Sequence, residues 1–156
     1  MIILGIDPGT TRIGYGVVQT QRGAIEHVRS GILTLPPAVS SARLINIARE
    51  LGKLLDEVRP EKVGVEKLFF SKNKKTALAV AEARGVILHT IAERGIPVLE
   101  LTPNEVKVAV TSNGNASKAA VAKMVAAILH ISVTHLLDDA TDALGIAIAS
   151  ANTRIN

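Results

Sequence analysis

Cysteine is absent from the 156 residues. A disulfide frame, a thiol nucleophile and a thiolate metal site are therefore excluded, and any metal chemistry must rest on carboxylates or on the four histidines. Aromatic residues make up only 2% of the chain, so any that lie together are conspicuous. No apolar run approaches the roughly 18 residues needed to span a bilayer. Met1 leads straight into Ile2-Ile3-Leu4 without the basic stretch of a signal peptide, and a cytoplasmic protein with no membrane partner is expected. With no internal repeat, low-complexity tract or long linker, residues 1–156 are expected to form one domain. What is present is a modest basic excess, 18 Lys and Arg against 14 Asp and Glu for a net charge of +4, which favours a polyanionic partner over a disordered acidic chain.

Ile2 to Asp7 is a short apolar run closed by Pro8-Gly9, and Ile13 to Val18 and Ile25 to Leu35 are two further β-rich runs. Short turns between them predict antiparallel pairing. From Ser41 the period changes: Leu44, Ile47, Leu51, Leu54, Leu55 and Val58 recur at helical spacing, with Ser40 or Ser41 as N-cap and Pro60 after the end. A strand Lys62 to Glu66, a basic loop, a helix from about Asn73 to Arg94 closed by Gly95, and a strand Val98 to Leu101 follow. Thr102-Pro103-Asn104-Glu105 reads as a capping box opening a short helix. Ser117 caps another running to about His130, and a last helix covers Leu137 to Ala151 with Leu144, Ile148 and Ala147 on its apolar face. This order predicts an α/β protein with a five-stranded mixed sheet flanked by helices, the layout of a ribonuclease H-like fold.

Asp7 and Glu66 each end an otherwise apolar strand, so both belong at the edge of the sheet. Sites in open α/β sheets form beyond the carboxyl ends of parallel strands, so the two carboxylates converge if the first and fourth strands are neighbours. Convergence at neutral pH needs a cation, and an oxygen-only ligand set favours Mg²⁺ or Mn²⁺ over Zn²⁺. Asp139 and Asp142, three apart near a helix start, present a second pair on one face. Asp138 reads as surplus charge or an N-cap and is left out of the set. No Gly-x-Ser-x-Gly elbow is present, and His27, His89, His130 and His135 show no ligand spacing.

Lys67, Lys72, Lys74 and Lys75 fall within nine residues lacking any acidic group, directly after Glu66, and are expected to bind backbone phosphates. Phe69 and Phe70, the only phenylalanines, lie between Glu66 and that basic run. One ring is expected to pack beneath the loop and the other to project, where it could stack on a base. The long helix is apolar nearly all round, through Leu78, Ala83, Gly85, Ile87 and Leu88 among others, and is expected to be covered on two sides, by the sheet and by its mate in a homodimer.

Ile6-Asp7-Pro8-Gly9-Thr10 followed by Gly14-Tyr15-Gly16-Val17 resembles the RuvC family of bacterial Holliday junction resolvases. The likeness continues through Val65-Glu66-Lys67-Leu68-Phe69-Phe70, Lys72-Asn73, Ala83-Arg84-Gly85, Pro97-Val98, Val106-Lys107, Ser117-Lys118 and Asp139-Ala140-Thr141-Asp142-Ala143-Leu144. It implies a homodimeric, Mg²⁺-dependent endonuclease that makes paired nicks in strands of like polarity at a four-way DNA junction. Catalytic and metal-binding carboxylates would be Asp7, Glu66, Asp139 and Asp142, without an organic cofactor, and the RuvA–RuvB branch-migration complex would be a partner. Two divalent ions fit in-line hydrolysis of a phosphodiester. The resemblance selects Phe69 as the projecting ring and adds Lys107 and Lys118 to Lys72, Lys74 and Lys75 as DNA contacts.

Two departures accompany it. Ser150 is placed where the family often has a ligand or base, and Thr111-Ser112-Asn113-Gly114-Asn115 is less glycine-rich than expected. Gly5-Ile6-Asp7-Pro8-Gly9-Thr10-Thr11 is also similar to the phosphate loop of the actin, Hsp70 and sugar-kinase group, but 156 residues supply only one of the two domains between which those proteins bind ATP. A ribonuclease H-like nuclease acting on RNA or RNA–DNA hybrids is the remaining alternative, because fold and metal site are shared across substrates. A binding protein with a decayed site is disfavoured by the presence of all four carboxylates.

Overall fold

The computed structural model describes residues 1–9, 11–36, 39–67 and 74–153. Strands β1 (Ile2–Asp7), β2 (Arg12–Gln21) and β3 (Ala24–Thr34) form the opening meander. Helix α1 (Ser40–Val58), β4 (Lys62–Glu66), α2 (Lys74–Ala92), β5 (Val98–Leu101), α3 (Pro103–Thr111), α4 (Lys118–Leu129) and α5 (Asp138–Asn152) follow. The sheet order is β3-β2-β1-β4-β5. The meander pairs antiparallel, and β1–β4 and β4–β5 are parallel, with Ile6 opposite Val65. This is the expected five-stranded mixed sheet, and β1 and β4 are neighbours.

Alternation along the strands divides the interior in two. Leu4, Ile6, Ile13, Tyr15, Val17, Val63 and Val65 face α1 and α2 and pack with Ile47, Leu51, Leu55, Ile87 and Ile91. Ile3, Val18 and Leu101 face the other way, into a core with α3, α4 and α5. On that second face the sheet carries glycines where side chains would stand. A Cβ at Gly5 would overlap the Ala143 carbonyl, and one at Gly14 would overlap the Asp139 carbonyl. Helix α5 therefore rests directly on the backbone of β1 and β2. Lys62, 5% exposed, ties the far end of α5 to β4 by donating from Nζ to the Thr153 carbonyl at 2.8 Å.

Several local expectations hold in chemical detail. Thr102 and Glu105 form a reciprocal capping box with Pro103 in the first turn of α3; Ser117 Oγ accepts from the Ala120 amide; and Gly95 takes a positive φ of 64° after α2. Others are corrected. The N-cap of α1 is Val39, with no side-chain cap bond, rather than Ser40 or Ser41. Helix α5 is buried on all sides from Ala143 to Ser150, not along one stripe, because the sheet lies under it and α3 and α4 cover it. Ala83 of α2 is fully buried against the sheet, whereas Gly85 has nothing within 4 Å of its side-chain position, so only Gly85 of that pair faces outwards. Among the described residues no helix is long and apolar enough to cross a membrane.

Candidate active site

Asp7 ends β1 and Glu66 ends β4, one residue beyond the paired Ile6 and Val65. By strand alternation both carboxyls point to the face on which α5 lies. The first turns of α5 bring in Asp139 and Asp142, which share one side of the helix. Asp7 is paired with Gly14 in the β1–β2 ladder, and Gly14 is the residue on which the Asp139 backbone rests. The close approach of β2 to α5 thus sets where the second pair of carboxylates stands relative to the first.

Crowding shows in the proton affinities. The Asp7 carboxyl is pushed up to about 7, first by burial and then by repulsion from Glu66, Asp142 and Asp139. Glu66 is raised by burial and by the charge of Asp142. Burial raises Asp142 as well, against the opposing attraction of Lys118. Two cations partly offset this negative charge. Lys118 Nζ lies 2.9 Å from Asp142 Oδ2 and 3.4 Å from Asp138 Oδ2, and Arg12 Nε lies 3.6 Å from Asp139 Oδ2.

A cleft of about 200 Å³ opens beside the carboxylates, lined by Glu66, Asp142, Lys107, Lys118, Val106 and Ile146. Lys107 comes from α3 and Lys118 from the first turn of α4. The intervening loop holds them together without extra glycines: Thr111 Oγ1 donates to the Lys107 carbonyl at 2.8 Å, Asn113 N donates to Thr111 Oγ1, and Asn115 N donates to Asn113 Oδ1. Ser112 takes the left-handed turn at φ 58°. A negative floor with a lysine rim suits a phosphodiester brought against oxygen-ligated cations.

The structure thus brings together Asp7, Glu66, Asp139, Asp142, Lys107 and Lys118. Among the described residues no three Asp, Glu or His side chains already form a metal-holding group; Asp139 and Asp142 are turned towards Arg12 and Lys118. Ser150 is not at the site. It lies eight residues beyond Asp142, ~12 Å along the helix axis, fully buried with its Oγ against Gly64. Asp138 is not an N-cap, since Leu137 holds that position; it is a surface partner of Lys118. Lys67 is exposed directly after Glu66, and Lys74 and Lys75 open α2. Phe69, Phe70 and Lys72 lie outside the described residues. The reading from sequence missed Arg12, whose place next to the Asp7 turn was visible but whose partner, 127 positions away, was not.

The family model for crossover junction endodeoxyribonuclease RuvC matches residues 3–150. A RuvC from Carboxydothermus hydrogenoformans is 46% identical over 149 residues, 96% of this chain and 94% of that protein. One from Syntrophomonas wolfei is 45% identical over 149 residues, 95% and 87% of the respective chains. The structure of Thermus thermophilus RuvC in complex with a Holliday junction substrate superposes with a TM-score of 0.89 at 33% identity, covering 97% of this chain and 93% of that one. With the fold, the carboxylate edge and nearly the whole length of the sequence in agreement, the chain belongs to the RuvC family of crossover junction endodeoxyribonucleases.

Proposed function

We propose that this protein, acting as a single domain over residues 1–156 and as a cytoplasmic homodimer, resolves four-way DNA junctions by paired, divalent-cation-dependent nicks in strands of like polarity. The observation that carries the reading is the pair of half-buried carboxylates at the ends of adjacent parallel strands, with Asp7 raised to about 7 by desolvation and by its acidic neighbours. Such a set is stable in its ionised form only next to positive charge. Its all-oxygen donors, Asp7, Glu66, Asp139 and Asp142, suit Mg²⁺ or Mn²⁺, and two such ions are proposed. A bound cation there supplies a stronger water nucleophile and neutralises charge on the phosphate and leaving oxygen.

The remaining work falls to side chains of this chain. Lys107 and Lys118 line the cleft, where they hold the phosphate backbone and orient it against the carboxylate edge. Lys72, Lys74 and Lys75 extend the phosphate contacts along the loop after Glu66, and Phe69 stacks on an opened base at the branch point. Pairing of nicks follows from assembly. Leu78 of α2 is 72% exposed and Gly85 is bare, so two such helices can approach closely and bury that apolar strip about a two-fold axis.

The test is to incubate the protein with Mg²⁺ and a labelled four-way junction, a linear duplex and an RNA–DNA hybrid. Cutting confined to the junction, lost in chelator and in Asp7→Asn, Glu66→Gln, Asp139→Asn and Asp142→Asn variants that still bind it, is expected. Preferential cutting of the hybrid would overturn the substrate assignment.

A further inference from the structure

Ala83-Arg84-Gly85 sets a cation in the middle of the mostly apolar helix α2, and none of the roles above uses it. The Arg84 side chain is only 16% exposed, so it is not a free surface charge. Its Nε donates to the backbone carbonyl of Glu66 at 3.0 Å, and Nη2 pairs with the carboxylate of Glu100 on β5. The guanidinium fork therefore spans the last residue of β4 and the neighbouring strand, from a helix on the opposite side of the sheet from α5.

The point of attachment matters. Strand β4 ends at Glu66, and the next amide, Lys67 N–H, donates to the Leu101 carbonyl at 2.7 Å. The Glu66–Lys67 peptide is thus held by its N–H from β5 and by its carbonyl from Arg84. Together these bonds fix the plane of that peptide and hence the direction in which the Glu66 side chain leaves the backbone. Val65 and Glu100 are register partners, so their side chains share the α2 face, and Glu66 points the other way, into the cleft. Arg84 does not itself line the cleft; it acts on Glu66 through the main chain.

We propose that Arg84 is a positioning residue: its fork, closed on the Glu66 carbonyl and the Glu100 carboxylate, holds the end of β4 and with it the direction in which the Glu66 carboxylate enters the cleft, and it makes the seating of α2 felt at the active edge. The proposal deepens the nuclease reading and rests on it. Arg84→Met keeps the length and removes the donors. Arg84→Lys keeps one charge but cannot form the fork.

Three quantities are measured on the full-length protein: Mn²⁺ affinity by calorimetry without DNA, junction Kd in chelator, and kcat at saturating junction. A displacement of about 1 Å at a reacting group costs on the order of 100-fold in rate. Arg84→Met is expected to lose kcat on that scale and to bind Mn²⁺ more weakly, with junction Kd unchanged and the thermal transition still cooperative. Arg84→Lys is expected to fall between it and the wild type. Wild-type kcat and Mn²⁺ affinity in folded Arg84→Met would overturn the proposal. So would a loss of kcat that only follows the folded fraction while Mn²⁺ affinity per folded molecule stays unchanged. If Arg84→Met does not fold, Arg84→Lys decides by the same two quantities. Failure of the wild type to cut junctions would instead sink the nuclease reading, and the Mn²⁺ affinities would still judge Arg84.

Discussion

Replacing Asp7 with Asn should make the protein more stable in chelator at pH 8 while abolishing cutting. In the folded chain the Asp7 carboxyl is raised from 3.8 to about 7 by burial and acidic neighbours. Between those values the folded state holds a proton that the unfolded state has released, so stability falls as pH rises through the window and is lowest above pH 7. At 1.36 kcal/mol per pH unit the full cost of ionisation is about 4 kcal/mol, and at pH 5 it is still below about 2. Asn is close in shape to the protonated acid and carries no charge at any pH. Its gain should therefore grow from under ~2 kcal/mol at pH 5 to as much as ~4 kcal/mol at pH 8. For a chain of this size that is a rise in Tm of roughly 8–16 °C at pH 8. Thermal unfolding followed by far-ultraviolet circular dichroism at the two pH values measures it. Saturating Mg²⁺ should stabilise the wild type and narrow the difference, since ligand binding to the folded state alone adds stability. An Asn variant no more stable than the wild type at pH 8, or one whose gain does not change with pH, would refute the argument that burial and acidic neighbours together prepare this edge for a cation.

Gly14→Ala puts a methyl group against the Asp139 backbone and should cost ~1–3 kcal/mol in stability, with cutting by the folded protein reduced further; unaltered cutting at lowered Tm would detach the seat of α5 from catalysis. Phe69→Ala should impair cutting more than folding and Phe70→Ala the reverse, as read by junction cleavage against Tm; equal large losses of Tm with normal cutting by the folded fraction would assign both rings to the core. Leu78→Glu places a charge on the exposed strip of α2 and should yield monomers in sedimentation that nick without pairing; a wild type that sediments as a monomer at micromolar concentration yet nicks in pairs would remove the interface.

Strand ends and the caps of α3 and α4 were legible because their signals are local, whereas α1 and α5 begin at Val39 and Leu137 without any side-chain cap to read. Asp7 and Glu66 close apolar runs, and Thr102-Pro103-Asn104-Glu105 carries both halves of its capping box. The convergence of Asp7 and Glu66 was legible only on the condition that the first and fourth strands are neighbours, and the parallel pairing of β1 with β4 meets that condition. What escaped was set by tertiary neighbours. The burial of α5 from Ala143 to Ser150 could not be read from a helix that opens with Asp138, Asp139 and Asp142 and carries Thr141 and Ser150, since the last two become interior only when the sheet, α3 and α4 enclose it. Ser150 was misplaced for the same reason: the helix leaves the site edge after Ile146 and runs on beneath the sheet's glycines. The partners of Arg12 and Arg84 depend on distances across the fold, and neither residue stands in a pattern that announces them.

The two faces of the sheet offer a protein engineer unequal freedom. Against α1 and α2 the contact is between branched side chains such as Ile6, Val65, Leu51 and Ile87, which can change rotamer and volume together, so that half of the interior can be redesigned for heat tolerance. Beneath α5 the contact is main chain on main chain at Gly5 and Gly14, where no rotamer exists to absorb an error. The spacing between that helix and the sheet therefore behaves as a fixed mechanical tolerance. A thermostable variant built by repacking the α1–α2 side should keep the seat of Asp139 and Asp142 unaltered, and it keeps Glu66 as well only where the new core still delivers Arg84 to the Glu66 carbonyl.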